Sequence, residues 1–331
     1  MTDTNKKNIL FVDDEPNVLR GLMRMLRGMR REWNMDFVNS GEEAIERMEQ
    51  QSFDVVVSDM RMPGVNGVDL LKTVKERWPN VVRFILSGYA DKEMVIQSVG
   101  PTHQFLSKPC DSDQLVGTIN RAFSLRQLLQ DENVLDLVQG DCQLPVLPEL
   151  YQRLCDRLTD PESTADDVAE IIGQDVAMAT KVIQLVNSAF FGMPREIHSV
   201  QQAVSLLGAE IISSIVLTTG VFEQYSDAQI EKYDIRRLYA HSIAVGANAA
   251  AIVQAEPAVT GAKAADSAML AGMTHDFGKL IFVTAESKKW QYAHALHRNT
   301  ERPLQEVERE VIGTTHAELG GYLLGLWGVT D

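Results

Sequence analysis

The chain has 331 residues, with 31 Lys and Arg against 46 Asp and Glu, a formal charge of −15 and a pI near 4.9. That length exceeds one ordinary domain and fits two, and 45% hydrophobic with 23% charged residues excludes wholesale disorder. An acidic excess of this size disfavours a protein that grips nucleic-acid phosphates through a broad basic surface.

The opening segment, MTDTNKKNILFVDDEP, lacks the apolar run of a signal peptide. Three cysteines (Cys110, Cys142 and Cys155) without C-x-x-C spacing offer neither a disulfide framework nor a thiolate zinc site. The longest apolar stretch, residues 206–222, contains Glu210 and four hydroxyl residues. It falls short of the ~20 apolar residues of a spanning helix. A cytoplasmic protein without membrane insertion is the expectation.

From residue 8 to about 125, short β-branched runs alternate with helical patterns. NILFVD, DFV, FDVVVSD, VVRFILS and HQFLSK predict strands. NVLRGLMRMLRGM, GEEAIERMEQ, GVDLLKTVKERW, DKEMVIQSV and DSDQLVGTINRAF predict the helices between and after them. Five such units predict a doubly wound, five-stranded parallel sheet with helices on both faces. After residue 140 the strand signals vanish, and Val168, Ile171, Ile172, Val176, Ala179, Ile183 and Val186 recur at helical spacing. The fold class expected is therefore α/β followed by all-α. Residues 111–139 contain few breakers and predict one helix leaving the first domain. The expected division is 1–126, a helical linker at 127–140, and 141–331.

Ligands of an open α/β sheet bind outside the carboxyl ends of its strands. The first strand ends in Asp13 and Asp14, the third in Asp59, the fourth in Ser87, and the fifth in Lys108 followed by Pro109. Any one Asp at a strand end is adequately explained as a helix cap. Three carboxylates, a hydroxyl and an ammonium converging from four strand ends suit a hard, oxygen-seeking cation such as Mg²⁺.

ILFVDDEP, DVVVSDMRMPGVNGVDLL, ILSGY and FLSKP, in that order, resemble the receiver domain of bacterial response regulators across residues 8–126. The resemblance implies a flavodoxin-like fold with Asp59 as phospho-acceptor. It makes Asp13, Asp14, Asp59 and the Met60 carbonyl ligands of Mg²⁺, and Lys108 the phosphoryl contact. Ser87 becomes the switch hydroxyl and Phe105 the switch aromatic. It also implies a histidine kinase as phosphodonor. Arg20, Arg24, Arg27 and Arg31 form a stripe on the first helix opposite Leu19, Leu22, Met23 and Leu26. A solvated face explains such a stripe, and a kinase-docking surface is the sharper reading.

LPVLPELYQRL, LVNSAFFG and AVSLLG in the second part resemble the HDOD domain, an all-helical relative of the HD phosphohydrolases. One departure is QDVAM, where the family usually has Pro after the Asp. The resemblance implies a signalling module that contacts a downstream protein. His241, His275, Asp276 and His316 stand where the enzymatic HD families place metal ligands, and Lys279 follows in HDFGK. Imidazoles with a carboxylate suit a transition metal that activates water for attack on a phosphoester. Against catalysis, the distal Asp of the HD set has no counterpart, HHE and GYP elements are absent, and Arg237 takes a place often held by Glu. Related domains typically continue through further helices beyond the point where this chain stops, at Asp331, so the missing ligands are either lost or lie beyond that point. His103, His198, His294 and His297 read as structural or surface residues, and Trp327 as packing.

These observations together predict a two-component response regulator. Phosphorylation at Asp59 alters the receiver, and the linker passes the change to an HDOD output. Leu115, Ile119, Ala122, Leu125 and Leu129 keep a spacing compatible with helix pairing in a homodimer. The alternative is a phospho-regulated, metal-dependent HD-type phosphohydrolase acting on a nucleotide or cyclic dinucleotide. Residues 1–126 hold 17 Lys and Arg against 18 Asp and Glu, and residues 127–331 hold 14 against 28. The acidic excess therefore lies in the output half. A DNA-binding output would need its basic face there, and no nucleic-acid partner is expected.

Overall fold

A computed structural model describes residues 6–87, 102–126, 144–160, 162–187, 196–209, 211–212, 222–256 and 262–329. They belong to two compact units, one ending at Arg126 and the other lying beyond it.

The first unit is built on five parallel strands: β1 (Lys7–Val12), β2 (Trp33–Val38), β3 (Val55–Asp59), β4 (Val82–Ser87) and β5 (Gln104–Ser107). Their order is β2-β1-β3-β4-β5. Ile9, Leu10 and Phe11 of β1 and Val55, Val56 and Val57 of β3 are fully buried, as expected of central strands covered on both faces. Helices α1 (Pro16–Met25), α2 (Gly41–Gln50), α3 (Gly67–Arg77) and α4 (Ser112–Arg126) complete the described part of the unit. Pro16 opens α1, where its missing N–H costs nothing. Ser40 and Asn66 cap α2 and α3 by accepting the backbone N–H groups of Glu43 and Asp69.

The first helix is shorter than its hydrophobic pattern predicts. It ends at Met25, and Leu26–Arg31 wind on as a 3₁₀ segment. Gly28 weakens an α-helix there, and tighter winding is common at helix ends. Arg20, Arg24, Arg27 and Arg31 are nevertheless all exposed, while Leu19, Leu22 and Leu26 are buried. β2 starts at Trp33, ahead of the predicted DFV, because Trp33 itself is buried. The helix predicted at DKEMVIQSV lies outside the described residues.

In α4, Leu115, Ile119 and Ala122 are buried within the chain's own fold. Lys7 sits over the Phe123 ring at 5.2 Å, and Arg126 pairs with Asp54 at 3.3 Å. Most of the stripe expected to pair two copies of the chain is thus already used in packing. Leu129 and the predicted linker at 127–140 lie outside the described residues.

The second unit is helical. In order come α5 (Pro148–Thr159), α6 (Ala165–Gly173), α7 (Val176–Val186), α8 (Val200–Leu207), α9 (Asp227–Lys232) and α10 (Ile235–Ala255). They are followed by α11 (Ala262–Thr274), α12 (Phe277–Ala285), α13 (Ser287–Thr300), α14 (Leu304–Val311) and α15 (His316–Leu326). Every residue of α7 is buried, which explains a sequence (VAMATKVIQLV) hydrophobic nearly all round. Asp175 caps α7, accepting the N–H groups of Met178 and Leu147. Two short strands, β6 (Leu144–Val146) and β7 (Phe222–Gln224), pair in parallel. Three residues are too few to register an alternation, so sequence reading missed them. No described helix is long and apolar enough to cross a membrane.

Candidate functional sites

The sheet register assembles the first site. Val12 of β1 pairs with Ser58 of β3, so Asp13 and Asp59 leave the sheet side by side. Asp59 pairs with Leu86, and Ser87 with Ser107, which places Ser87 one step and Lys108 two steps beyond the level of Asp59. β1 and β3 flank the point where strand order reverses, the crevice in which such sheets bind ligands.

Lys108 Nζ donates to Asp13 Oδ2 at 2.6 Å and to Asp59 Oδ1, tying three strand ends to one cation. Asp13 Oδ1 accepts the Glu15 N–H at 3.0 Å, and Asp59 Oδ2 accepts the Arg61 N–H at 2.6 Å. Asp13 and Asp59 are buried and Asp14 is half-buried. Burial raises the Asp59 pKa, and Lys108 and the Arg61 N–H only partly oppose it. Burial works against the Lys108 ammonium, but bonding to Asp13 and Asp59 outweighs it, so that pKa is raised as well.

The Met60 carbonyl accepts the Gly67 N–H at 3.0 Å. A Cβ on Gly67 would lie 2.0 Å from the Asp59 carbonyl oxygen, so this approach requires glycine. Phe105 is buried. The side chain of Ser87 lies outside the described residues. Carboxylate oxygens gathered at strand ends are hard donors of the kind Mg²⁺ prefers.

A second cluster forms in the helical unit. His241 of α10 and His275 and Asp276, between α11 and α12, offer three ligand atoms within 4.8 Å of one another. His275 Nε2 lies 3.3 Å and His241 Nε2 3.8 Å from Asp276 Oδ2. Ligands about 2.1 Å from one metal ion sit roughly 3–3.5 Å apart, so the set is close to that spacing. His316 stands apart from the trio, its Nε2 at 3.4 Å from the other Asp276 oxygen, Oδ1. Lys279 donates to Asp276 Oδ2 at 2.6 Å.

Two of the imidazoles have their orientation fixed. His275 Nδ1 meets the Gly272 carbonyl at 2.7 Å, and His316 Nδ1 meets the fully buried Glu308 carboxylate at 2.7 Å. With Nδ1 engaged by acceptors, both imidazoles turn Nε2 toward Asp276. Glu308 also accepts the His316 backbone N–H at 3.1 Å, one of the groups left without partners at the start of α15.

Residues 144–331 match the family model described as the HDOD domain, and residues 9–120 that of the response regulator receiver domain. The chain belongs to the HDOD family. Its N-terminal part is a receiver domain, and the protein is a response regulator of that receiver–HDOD architecture. Among curated relatives, the hydrogenase transcriptional regulatory protein HoxA of Cupriavidus necator is 36% identical over 157 residues. That match covers 47% of this chain and 31% of the relative. The C4-dicarboxylate transport transcriptional regulatory protein DctD of Pseudomonas aeruginosa is 28% identical over 169 residues, 49% of this chain and 34% of the relative. The chain thus spans about a third of the curated relatives it matches. The structure of the MmoQ response regulator from Methylococcus capsulatus is similar at a TM-score of 0.47 and 22% identity, over 57% of this chain and 72% of that one.

Within this receiver–HDOD protein, sequence reading missed Glu308 and Gly278. Glu308 reads as one more charge in the acidic run EVERE, eight residues before His316. A Cβ on Gly278 would lie 2.0 Å from the His316 carbonyl oxygen, so α12 and α15 approach as closely as they do because that residue is glycine. His103 is structural, its Nδ1 accepting the Arg83 N–H at 3.0 Å.

Proposed function

We propose that this response regulator is switched by phosphorylation of Asp59 by a histidine kinase and signals through protein contacts of its HDOD domain. The convergence of Asp13 and Asp59 on Lys108 Nζ carries this reading. An Asp59 oxygen attacks the phosphorus of a phosphohistidine whose other ring nitrogen carries a proton, forming an acyl phosphate as the P–N bond breaks and neutral imidazole leaves. Lys108 follows the transferring group, exchanging its bond to Asp59 for one to a phosphoryl oxygen. Asp13, Asp14 and Asp59 carboxylates with the Met60 carbonyl would hold Mg²⁺, which supplies charge neutralisation at the phosphoryl oxygens.

Ser87 is assigned the second hydrogen bond to the phosphoryl group, and Phe105 the reporting of it. Two charge-assisted bonds of about 1.5–3 kcal/mol each approach the ~5.5 kcal/mol that inverts a two-state equilibrium. The exposed arginines of the first helix and its 3₁₀ extension are proposed as the kinase-facing surface. Incubation of the full chain with acetyl phosphate and Mg²⁺ tests the assignment. Phosphorylation is expected in the native protein and absent in Asp59→Asn, and phosphate uptake by that variant would overturn it.

The histidine cluster favours a second reading, in which the HDOD domain holds a transition metal through His241, His275 and Asp276, with His316 alongside. Such an ion would supply activated water for phosphoester hydrolysis. Metal analysis of the chain purified without chelators tests it. Stoichiometric iron or manganese, lost in His275→Ala, supports the reading, and metal-free protein contradicts it.

A further inference from the structure

The HDOD domain contains a cavity of about 860 Å³ whose wall carries charge of the wrong sign for its surroundings. Residues 127–331 hold 28 acidic against 14 basic residues, yet this wall brings together Lys232, Arg237, Lys279 and Arg298 with only Asp234 and Asp276. Asp276 is already bonded to Lys279 at 2.6 Å, and Asp234 reaches Arg237 only at 3.7 Å. Among the described residues, Lys232 and Arg298 have no carboxylate partner. Arg237 and Arg298 are exposed, so their guanidinium forks are free to turn into the opening.

Like charges gathered in a concave wall repel one another, and a domain with twice as many acids has ample means to neutralise them. The environment of His294 registers the resulting potential. Burial first, then Arg298, His297 and Lys279, lower its pKa. The rest of the lining joins Leu238, Val283, Trp290 and the half-exposed rings of Tyr233 and His294 to polar groups that include Asn299 and His241 of the histidine cluster. The volume lies within the ~300–1,000 Å³ typical of small-molecule sites.

We infer that this cavity binds an organic phosphate with an aromatic body, of nucleoside-phosphate size, with Lys232, Arg237 and Arg298 taking the phosphate and Tyr233 and His294 facing the ring. Arginine forks match phosphate oxygens bidentately, lysine adds a point charge, and flat rings accept a base by stacking. The cavity shares His241 and Asp276 with the histidine cluster, but the inference requires neither phosphorylation of Asp59 nor a metal there. It gives the regulator a small-molecule input on its output domain.

Titration calorimetry of the full chain, in buffer containing EDTA, tests it with ADP, GDP, CDP and UDP as probes and with guanosine and inorganic phosphate as fragments. At least one diphosphate is expected to bind with a Kd below about 1 mM, at least about tenfold tighter than either fragment. Binding is expected to weaken about tenfold or more in Lys232→Glu and in Arg298→Glu, both surface changes whose folding is checked by circular dichroism. It should stay within about twofold in Asp59→Asn, which separates this site from phosphorylation of the receiver, while the EDTA separates it from metal at the histidine cluster. Absence of saturable binding by every diphosphate, or undiminished binding in both charge reversals, would overturn the inference.

Discussion

Replacing Lys108 by Met keeps an apolar stem and deletes the ammonium that ties Asp13 to Asp59. Two hydrogen bonds to charged partners are lost, each worth about 1.5–3 kcal/mol. The carboxylates left behind are 2% and 12% exposed, so they do not regain full hydration, while the lysine itself was 23% exposed and partly screened. Removing one partner of a buried ion pair costs about 3–5 kcal/mol, and the partial exposure lowers the expected loss to about 2–4 kcal/mol. The loss must also depend on pH. Asp59 already has a raised pKa in the folded protein, and removing Lys108 takes away the influences that lowered it. An acid with a raised folded pKa contributes stability at low pH that is lost as pH rises through that pKa. The deficit of the variant is therefore larger near about pH 8 than near about pH 5. Peptide-resolved hydrogen exchange over β1 and β3 reads this locally, without interference from the HDOD domain. A deficit below about 0.5 kcal/mol, or one equal at both pH values, would refute the reasoning.

Three further outcomes follow from particular contacts. Glu308→Gln keeps the shape of the group that orients His316 but removes its charge, and is expected to weaken manganese or iron binding about 10–100-fold while circular dichroism stays unchanged. Unaltered affinity would remove Glu308 from the site. Gly278→Ala places a methyl where the His316 carbonyl lies 2.0 Å away, so α12 and α15 must separate. A cost of about 1–3 kcal/mol in urea unfolding and a displaced His316 ring resonance are expected, and a neutral substitution would contradict the close approach. Burial pushes Asp175 up to about 7 against the hydrogen bonds of Met178, Leu147, Ala177 and Tyr239. The native state then holds the extra proton between its ordinary 3.8 and about 7, so stability falls as pH rises across that window. The slope approaches about 1.4 kcal/mol per pH unit, and Asp175→Asn should abolish it. An unchanged pH profile in that variant would contradict the assignment.

The receiver site was legible because its chemistry sits at strand ends, where a period-two pattern followed by Asp, Ser or Lys fixes both position and direction. Asp13, Asp59 and Lys108 meet as that register requires. The helical half was less legible. Helical periodicity identifies the buried faces of α6 and α7 but does not say which helices cross. Glu308 and His316 come together because the chain turns at residues 312–315, where Thr315 caps α15, and nothing in their spacing announces that turn. Gly278 gave no signal either, since a glycine inside a helical pattern shows its purpose only when its neighbour is known. The cationic wall of the cavity collects Lys232, Arg237, Lys279 and Arg298 from three helices and the Lys279 turn of α12. Net charge by domain concealed it, because four cations vanish within an acidic total.

The claim that Asp59 accepts the phosphoryl group is tested most directly by trapping it. The full chain is treated with acetyl phosphate and Mg²⁺, reduced with borohydride, digested and sequenced by mass spectrometry. Reduction of an aspartyl phosphate leaves homoserine at the modified position, and the account predicts that residue at position 59 alone. Homoserine at any other aspartate, or its persistence elsewhere in Asp59→Asn, would contradict it.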